Sequence, residues 1–353
     1  MVPLLLLTVV LVAGACSSSK KTSTTATTSN QATTVPTFAA GTTMAAIQAK
    51  GKLVVGTKFD QPGFGQKNPT TGKVEGFDVE IAKLMAVGIF GGTPDSVESK
   101  IDFKEAVSTN REPFIQNGTV DIVAATYTIN DARKQVVDFA GPYYVTHQDI
   151  MVKANDDSIK SVADLNGKKV CTVQGSTSAT NLQAKAPQAQ LTLLAKYSDC
   201  ASALSDGRVV AESTDAPILA GLVQQSQGAF KLVKAPFTDE PYGIGLKKGD
   251  DAFRSFLDDR IDQIYANGDW AKAFEATLGK LGLETPTPPA VDKYGLSTGG
   301  AGANPSESTT TSTGSAGATP GAGGTSGTGS SGPTTTMAIS RDGSVGQPDT
   351  TGH

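Results

Sequence analysis

Two side chains of opposite charge stand where strand-like runs give way to helix-like ones. Arg133 falls on the first turn of a helix that Asn130 is placed to cap, and Asp215 lies just before Ala216–Pro217, a helix start. A guanidinium presents a planar fork of donors that matches a carboxylate. An aspartate facing the same space can pair with a cation. Thr126 and Thr128 precede Arg133, and Thr177 and Ser178 follow Gln174-Gly175-Ser176 at another helix start, where N–H groups without intrahelical acceptors attract carboxylate. Lys58 and Phe59 follow an apolar run, and Arg111 follows Asn110. Each has a plainer reading. Arg133 suits a surface helix, Asp215 a simple N-cap, the threonines ordinary strand ends, Arg111 a structural role and Lys58 a solvated loop. The only histidines are His147 and His353, which leaves no basis for a histidine metal site or a catalytic triad. No pair of carboxylates is spaced locally for acid–base work, so the chain does not read as an enzyme, and no cofactor is expected.

The elements that must position these groups alternate. Short apolar strands are expected at Lys52–Thr57, Ile101–Phe103, Asp121–Ala125, Ile150–Lys153, Lys169–Val173, Leu191–Ala195, Val209–Ser213, Phe230–Lys234 and Tyr242–Lys247. Helical spacing links Phe77, Ile81, Leu84 and Met85, and further helices are expected at Pro113–Asn117, from Asn130, from Ser176, through Ala203 and Leu204, from Ala216, at Phe253–Ile264 and at Trp270–Leu278. Such alternation implies α/β sheets flanked by helices, with ligands outside the carboxyl ends of the strands. Thr57–Asp60, Thr126–Arg133, Ser176–Ser178 and Thr214–Asp215 all fall just there.

The ends of the chain have a different character. Leu4–Val12 is apolar but too short to span a bilayer, and suits a signal peptide over residues 1–15. Ala13-Gly14-Ala15-Cys16 resembles the bacterial lipobox, which implies lipidation of Cys16; the alternative is a non-lipidated secretion signal. Residues 16–43 are rich in Ser and Thr and read as a flexible tether, and residues 286–353 as a disordered Gly/Ser/Thr/Pro tail. A net charge of −4 without basic blocks argues against nucleic acid. If Cys16 carries lipid, Cys171 and Cys200 remain as an even pair in an oxidising compartment. A bond between them closes a loop of about 30 residues, contributing roughly 3–4 kcal/mol; two buried free thiols are the alternative.

Several strings, taken in order, carry a family resemblance. They are Lys52-Leu-Val-Val-Gly-Thr-Lys58, Glu75-Gly-Phe-Asp78, Asn110-Arg111, Gln116-Asn-Gly-Thr-Val-Asp121, Ala124-Ala-Thr-Tyr-Thr-Ile-Asn-Asp-Ala-Arg133, Val137-Asp-Phe-Ala-Gly-Pro-Tyr-Tyr144 and Asp164-Leu-Asn-Gly-Lys168. Over about residues 44–280 the chain resembles the family 3 solute-binding proteins, the polar amino-acid receptors of bacterial ABC importers. It looks most like the glutamate- and glutamine-binding lipoproteins of actinobacteria, whose Cys pair is placed like Cys171 and Cys200.

The resemblance implies a periplasmic-binding-protein-like type II fold, two α/β lobes joined by two hinge strands with the ligand cleft between them. The binding domain would span 44–285, with lobe one at 44–144 and 243–285, lobe two at 149–237, and hinges near Tyr144–Gln148 and Thr238–Tyr242. Arg133 matches the arginine that grips the ligand α-carboxylate, and Asp215 the acid that pairs with its ammonium. Thr126 and Thr128 match contacts to the α-amino and α-carboxylate groups. Lys58 and Arg111 stand where relatives that take acidic amino acids place cations, Tyr197 where some carry a histidine, and Phe59 is placed to pack on the ligand stem. Two cations in a dry pocket repel unless an anion bridges them, which favours glutamate or aspartate over glutamine or asparagine. The implied partners are a free amino acid and a membrane ABC permease, with the receptor a lipid-tethered monomer on the extracytoplasmic face of the cell membrane. A sensor that signals to a membrane protein would share the same features.

Overall fold

A computed structural model of the chain describes residues 35–293. The signal-peptide segment, Cys16, most of the tether and the tail beyond residue 293 lie outside the described residues.

Two five-stranded mixed sheets form the frame. The first is ordered Ile101–Glu105, Leu53–Thr57, Ile122–Val123, Glu240–Leu246, Asp138–Thr146. Its first three strands pair in parallel, and Glu240–Leu246 runs antiparallel to both its neighbours. The second is ordered Gln190–Leu194, Lys169–Val173, Ala211–Asp215, Gln148–Lys153, Phe230–Leu232. Lys169–Val173 is parallel to both neighbours, and Gln148–Lys153 antiparallel to both of its own. The central strands Leu53–Thr57 and Ile122–Val123 of the first sheet read as apolar runs, as strands covered on both faces do, whereas the central strand of the second, Ala211–Asp215, is fully buried but largely polar. A small hairpin sheet, Asp60–Gln61, Gly65–Lys67 and Val74–Glu75, extends from lobe one, turning at Pro62–Gly63.

The chain crosses between the lobes twice, at His147 and through residues 233–239. The crossings touch, since His147 Nδ1 lies 2.9 Å from the Thr238 carbonyl oxygen and Gln148 N donates to Thr238 Oγ1 at 3.2 Å. The lobe-one core is aromatic. Phe77 heads the buried helix Phe77–Phe90 and packs edge-on against Trp270 and Phe274, with ring centroids 5.8 and 5.7 Å apart. Such pairs add about 0.5–1.5 kcal/mol each beyond their buried area. In lobe two, Cys171 and Cys200 form a disulfide that ties strand Lys169–Val173 to helix Tyr197–Ser205.

Some elements differ from the sequence reading. The strand expected at Asp121–Ala125 is only Ile122–Val123, because the chain leaves the sheet to enter the site loop. The strand expected at Val209–Ser213 is Ala211–Asp215, which makes Asp215 its last residue. Two segments at the limits of the described chain lie on lobe one. Phe38 packs edge-on against Phe256 at 5.4 Å, Asp292 N donates to Gly141 O at 2.7 Å, and Lys293 pairs with Asp259 and Asp262.

Candidate functional site

Asn130 caps the short helix Asp131–Lys134 by accepting from Arg133 N at 2.9 Å, which turns Arg133 inward. The arginine is 8% exposed, so it is not a surface side chain. Its guanidinium donates to Thr128 O at 2.7 Å and, across the lobes, to Gly175 O at 3.4 Å. Glu112 faces Nε at 3.3 Å. Arg111 lies beside it: both guanidiniums sit over the Tyr127 ring, 4.4 Å (Arg111) and 4.8 Å (Arg133) from its centroid. The ring's negative face holds two like charges close together. Arg111 also donates to the carbonyls of Ala125, Thr126 and Gly175. Burial, then the Arg111 charge, lowers the Arg133 guanidinium to about 10.

Lys58 is buried as well, with Nζ 2.9 Å from Ser108 Oγ. Burial and the neighbouring Arg111 charge pull its ammonium down to about 7. Phe59 is half-buried, with Lys67 Nζ 5.3 Å from its ring centroid. Thr126 sits in the left-handed region at φ 45°, a conformation that threonine rarely adopts. Its groups are committed locally: N donates to Asp78 at 2.8 Å, and Oγ1 contacts Gln61 and the Ala125 carbonyl. Gln61 is fully buried, and its Nε2 has no hydrogen-bond partner.

On lobe two, Ser176 caps helix Thr177–Lys185 with its own hydroxyl, which accepts from Ala179 N at 3.1 Å. The N–H groups of Thr177 and Ser178 therefore stand in the first turn, where the helix supplies no acceptor. Ser178 Oγ contacts Thr214 Oγ1 at 3.1 Å and Tyr197 OH at 3.3 Å, in a buried hydroxyl cluster. Burial pushes the Tyr197 phenol up to about 12. Asp215 occupies an N-cap position but makes no capping bond with its side chain. Instead Oδ2 accepts from Tyr242 OH, while Oδ1 is buried with no partner. Burial, then the Glu240 charge, raises this carboxyl to about 8.

The lobes meet closely around these groups. Asp60 of lobe one accepts from Tyr197 N at 2.9 Å and Ser198 N at 3.4 Å, capping a lobe-two helix whose own N-cap residue, Lys196, makes no side-chain cap. Lys196 reaches back to Glu105 at 2.5 Å. A Cβ on Gly175 would stand 3.0 Å from Thr109, and one on Gly221 2.6 Å from Pro62 O, so two lobe-two glycines permit the approach of lobe one. Gln61, Tyr242 and Glu240 were not singled out from the sequence. The local signals available for them were only a turn and a hinge string.

Cations on lobe one, an unpartnered carboxylate oxygen and a helix start on lobe two, and glycine contacts between them define a two-lobed receptor for a small solute. The sequence profile of the bacterial extracellular solute-binding proteins, family 3, matches residues 53–280, and the chain belongs to that family. It is 42% identical over 243 residues to the glutamate-binding protein GluB of Corynebacterium glutamicum, covering 67% of this chain and 81% of the relative. It is 41% identical over 240 residues to the ABC transporter glutamine-binding protein GlnH of Bacillus subtilis, covering 65% and 85%. An ancestral arginine-binding protein bound to glutamine superposes with a TM-score of 0.60 at 34% identity, covering 65% of this chain and 98% of that one.

Proposed function

We propose that the chain is the substrate-binding lipoprotein of an amino-acid ABC importer, closing its lobes around glutamate or aspartate. The carrying observation is that Asp215 Oδ1 is buried without a partner while Arg133, Arg111 and Lys58 are buried cations, the two arginines near enough for their charges to act on Asp215. In this reading Asp215 receives the ligand ammonium. Arg133 and the first-turn N–H groups of Thr177 and Ser178 receive the α-carboxylate. Lys58 and Arg111 receive the side-chain carboxylate, Phe59 packs on the stem, and Tyr197 closes the far wall. Thr128 lines the ammonium end, and Thr126 holds the loop between the two arginines. A dicarboxylic ligand supplies the anion that two adjacent buried cations lack. Glutamine would give the same cations only an amide oxygen, a weaker partner.

A thermal-shift screen of the common amino acids tests the reading. The expected result is that glutamate or aspartate raises the melting temperature most, since a ligand at 100 times its dissociation constant adds about 2.7 kcal/mol. A larger shift with a neutral or basic amino acid would overturn the acidic assignment. Co-purification with a permease tests the transport role; capture of a membrane signalling protein instead would favour a sensor.

A further inference from the structure

Four donors converge on the hinge-strand carboxylate of Glu240, which is 1% exposed. Oε2 accepts from Thr128 Oγ1 at 2.7 Å and from Thr177 Oγ1 at 2.8 Å. Oε1 accepts from Asn181 Nδ2 at 2.8 Å and from Thr238 Oγ1 at 3.0 Å. Thr128 belongs to lobe one, Thr177 and Asn181 to lobe two, and Thr238 to the second crossing. An ionised carboxylate has no hydrogen to give, so both threonine hydroxyls must donate to it. Each hydroxyl has one hydrogen. Once those hydrogens point at Glu240, the oxygens of Thr128 and Thr177 have only lone pairs left. They lie 3.3 Å apart, which makes them two adjacent acceptors in need of a common donor.

We propose that Glu240 is a positioning residue that sets the polarity of the amino-acid site, turning Thr128 and Thr177 into acceptors for the ligand ammonium. The inference rests on the amino-acid receptor reading above and adds to it. Of the two contacts expected from the sequence for Thr126 and Thr128, it gives the Thr128 hydroxyl the α-amino one, because its hydrogen is directed at Glu240 rather than at a ligand carboxylate. An amide at position 240 carries two hydrogens of its own. With its nitrogen on the side of Thr128 and Thr177 it makes at least one of them accept from it, which releases that hydroxyl hydrogen toward the ligand.

The test compares the amino acid that the wild-type full chain binds best with its des-amino analogue; in the expected case these are L-glutamate and glutarate. Titration calorimetry, with the analogue measured by competition, is run on wild type, Glu240→Gln, Thr128→Val and Thr177→Val. Glu240→Gln is expected to weaken L-glutamate roughly 10- to 100-fold and to leave glutarate unchanged. Each valine variant is expected to do the same to a smaller degree. If Glu240→Gln does not fold by circular dichroism, Thr177→Val alone must show the selective loss. Equal loss of both ligands, or no loss, overturns the proposal and leaves Glu240 as no more than a clasp between lobes. A wild-type protein that binds no amino acid sinks the receptor reading and this one together. Wild-type binding with unchanged ammonium discrimination in the variants sinks this one alone.

Discussion

The phenol of Tyr242, on the strand that returns the chain to lobe one, donates to Oδ2 of Asp215 at the tip of a lobe-two strand. This bond crosses the lobes and leaves the other carboxylate oxygen buried without a partner. Asp215→Asn keeps a partner for Tyr242 but removes the charge. It is expected to lower amino-acid affinity by about 3 kcal/mol, roughly a hundredfold, in calorimetry. The ligand-free protein should respond in the opposite sense. The folded Asp215 carboxyl is raised to about 8, above its unfolded value, so its favourable contribution is complete at low pH and is lost as pH rises through about 8. Asp215→Asn should therefore melt higher than wild type at pH 9 and show a smaller advantage at pH 5.

Arg133 holds Thr128 O and Gly175 O and faces Glu112, so these contacts leave with it as well as the proposed grip on the ligand carboxylate. Arg133→Ala is expected to cost about 3–5 kcal/mol of binding. Arg133→Lys should rescue little, because an ammonium cannot fork between two carbonyls and a carboxylate. Unchanged affinity in either variant would remove Arg133 from the site.

Lys58 makes ligand charge readable through pH. Its ammonium is held near 7 by burial and Arg111, and a ligand carboxylate would raise it again. Lys58 then takes up roughly one proton when an acidic amino acid binds above pH 7. Glutamine meets Asp215 in the same way but brings no side-chain charge to Lys58, so the ratio of acidic amino-acid affinity to glutamine affinity should fall by about tenfold per unit between pH 7.5 and 9. Calorimetry in buffers of different ionisation enthalpy measures the uptake, and Lys58→Met should abolish it.

Gly221 separates folding from closure. Alanine within helix Ala216–Gln225 favours the helix by about 1 kcal/mol, yet its Cβ would stand 2.6 Å from Pro62 O of lobe one. Gly221→Ala should keep or raise the melting temperature of the ligand-free protein while weakening ligand binding. Small-angle scattering should show the variant staying open at ligand concentrations that close wild type.

The frame was legible because apolar strands and capped helices announce themselves locally. Asn130 does cap the turn that carries Arg133, and the cysteine pair does bond. The inward turn of Arg133 was readable only through resemblance, since its local setting suits a surface helix equally well. Asp215 shows the limit of cap reasoning. The residue type and the following Pro217 fit an N-cap, but a tyrosine 27 positions away takes the carboxylate instead. Glu240 was invisible for the same reason, as its donors Thr128 and Thr177 lie 112 and 63 positions away. Asp60 caps a helix 137 positions downstream. Such groups acquire meaning only when the lobes meet, and no local pattern encodes that.

The anchoring of both described chain ends has a mechanical consequence. Phe38 leans on Phe256, and Lys293 is gripped by Asp259 and Asp262, all on helix Asp251–Ala266 of lobe one. Lobe two is an insertion between strands of that lobe. Tension pulled between residues 35 and 293 would enter and leave through lobe one, bypassing lobe two. A pull on the two described ends would load lobe one and leave the inserted lobe unstretched until lobe one itself gives way.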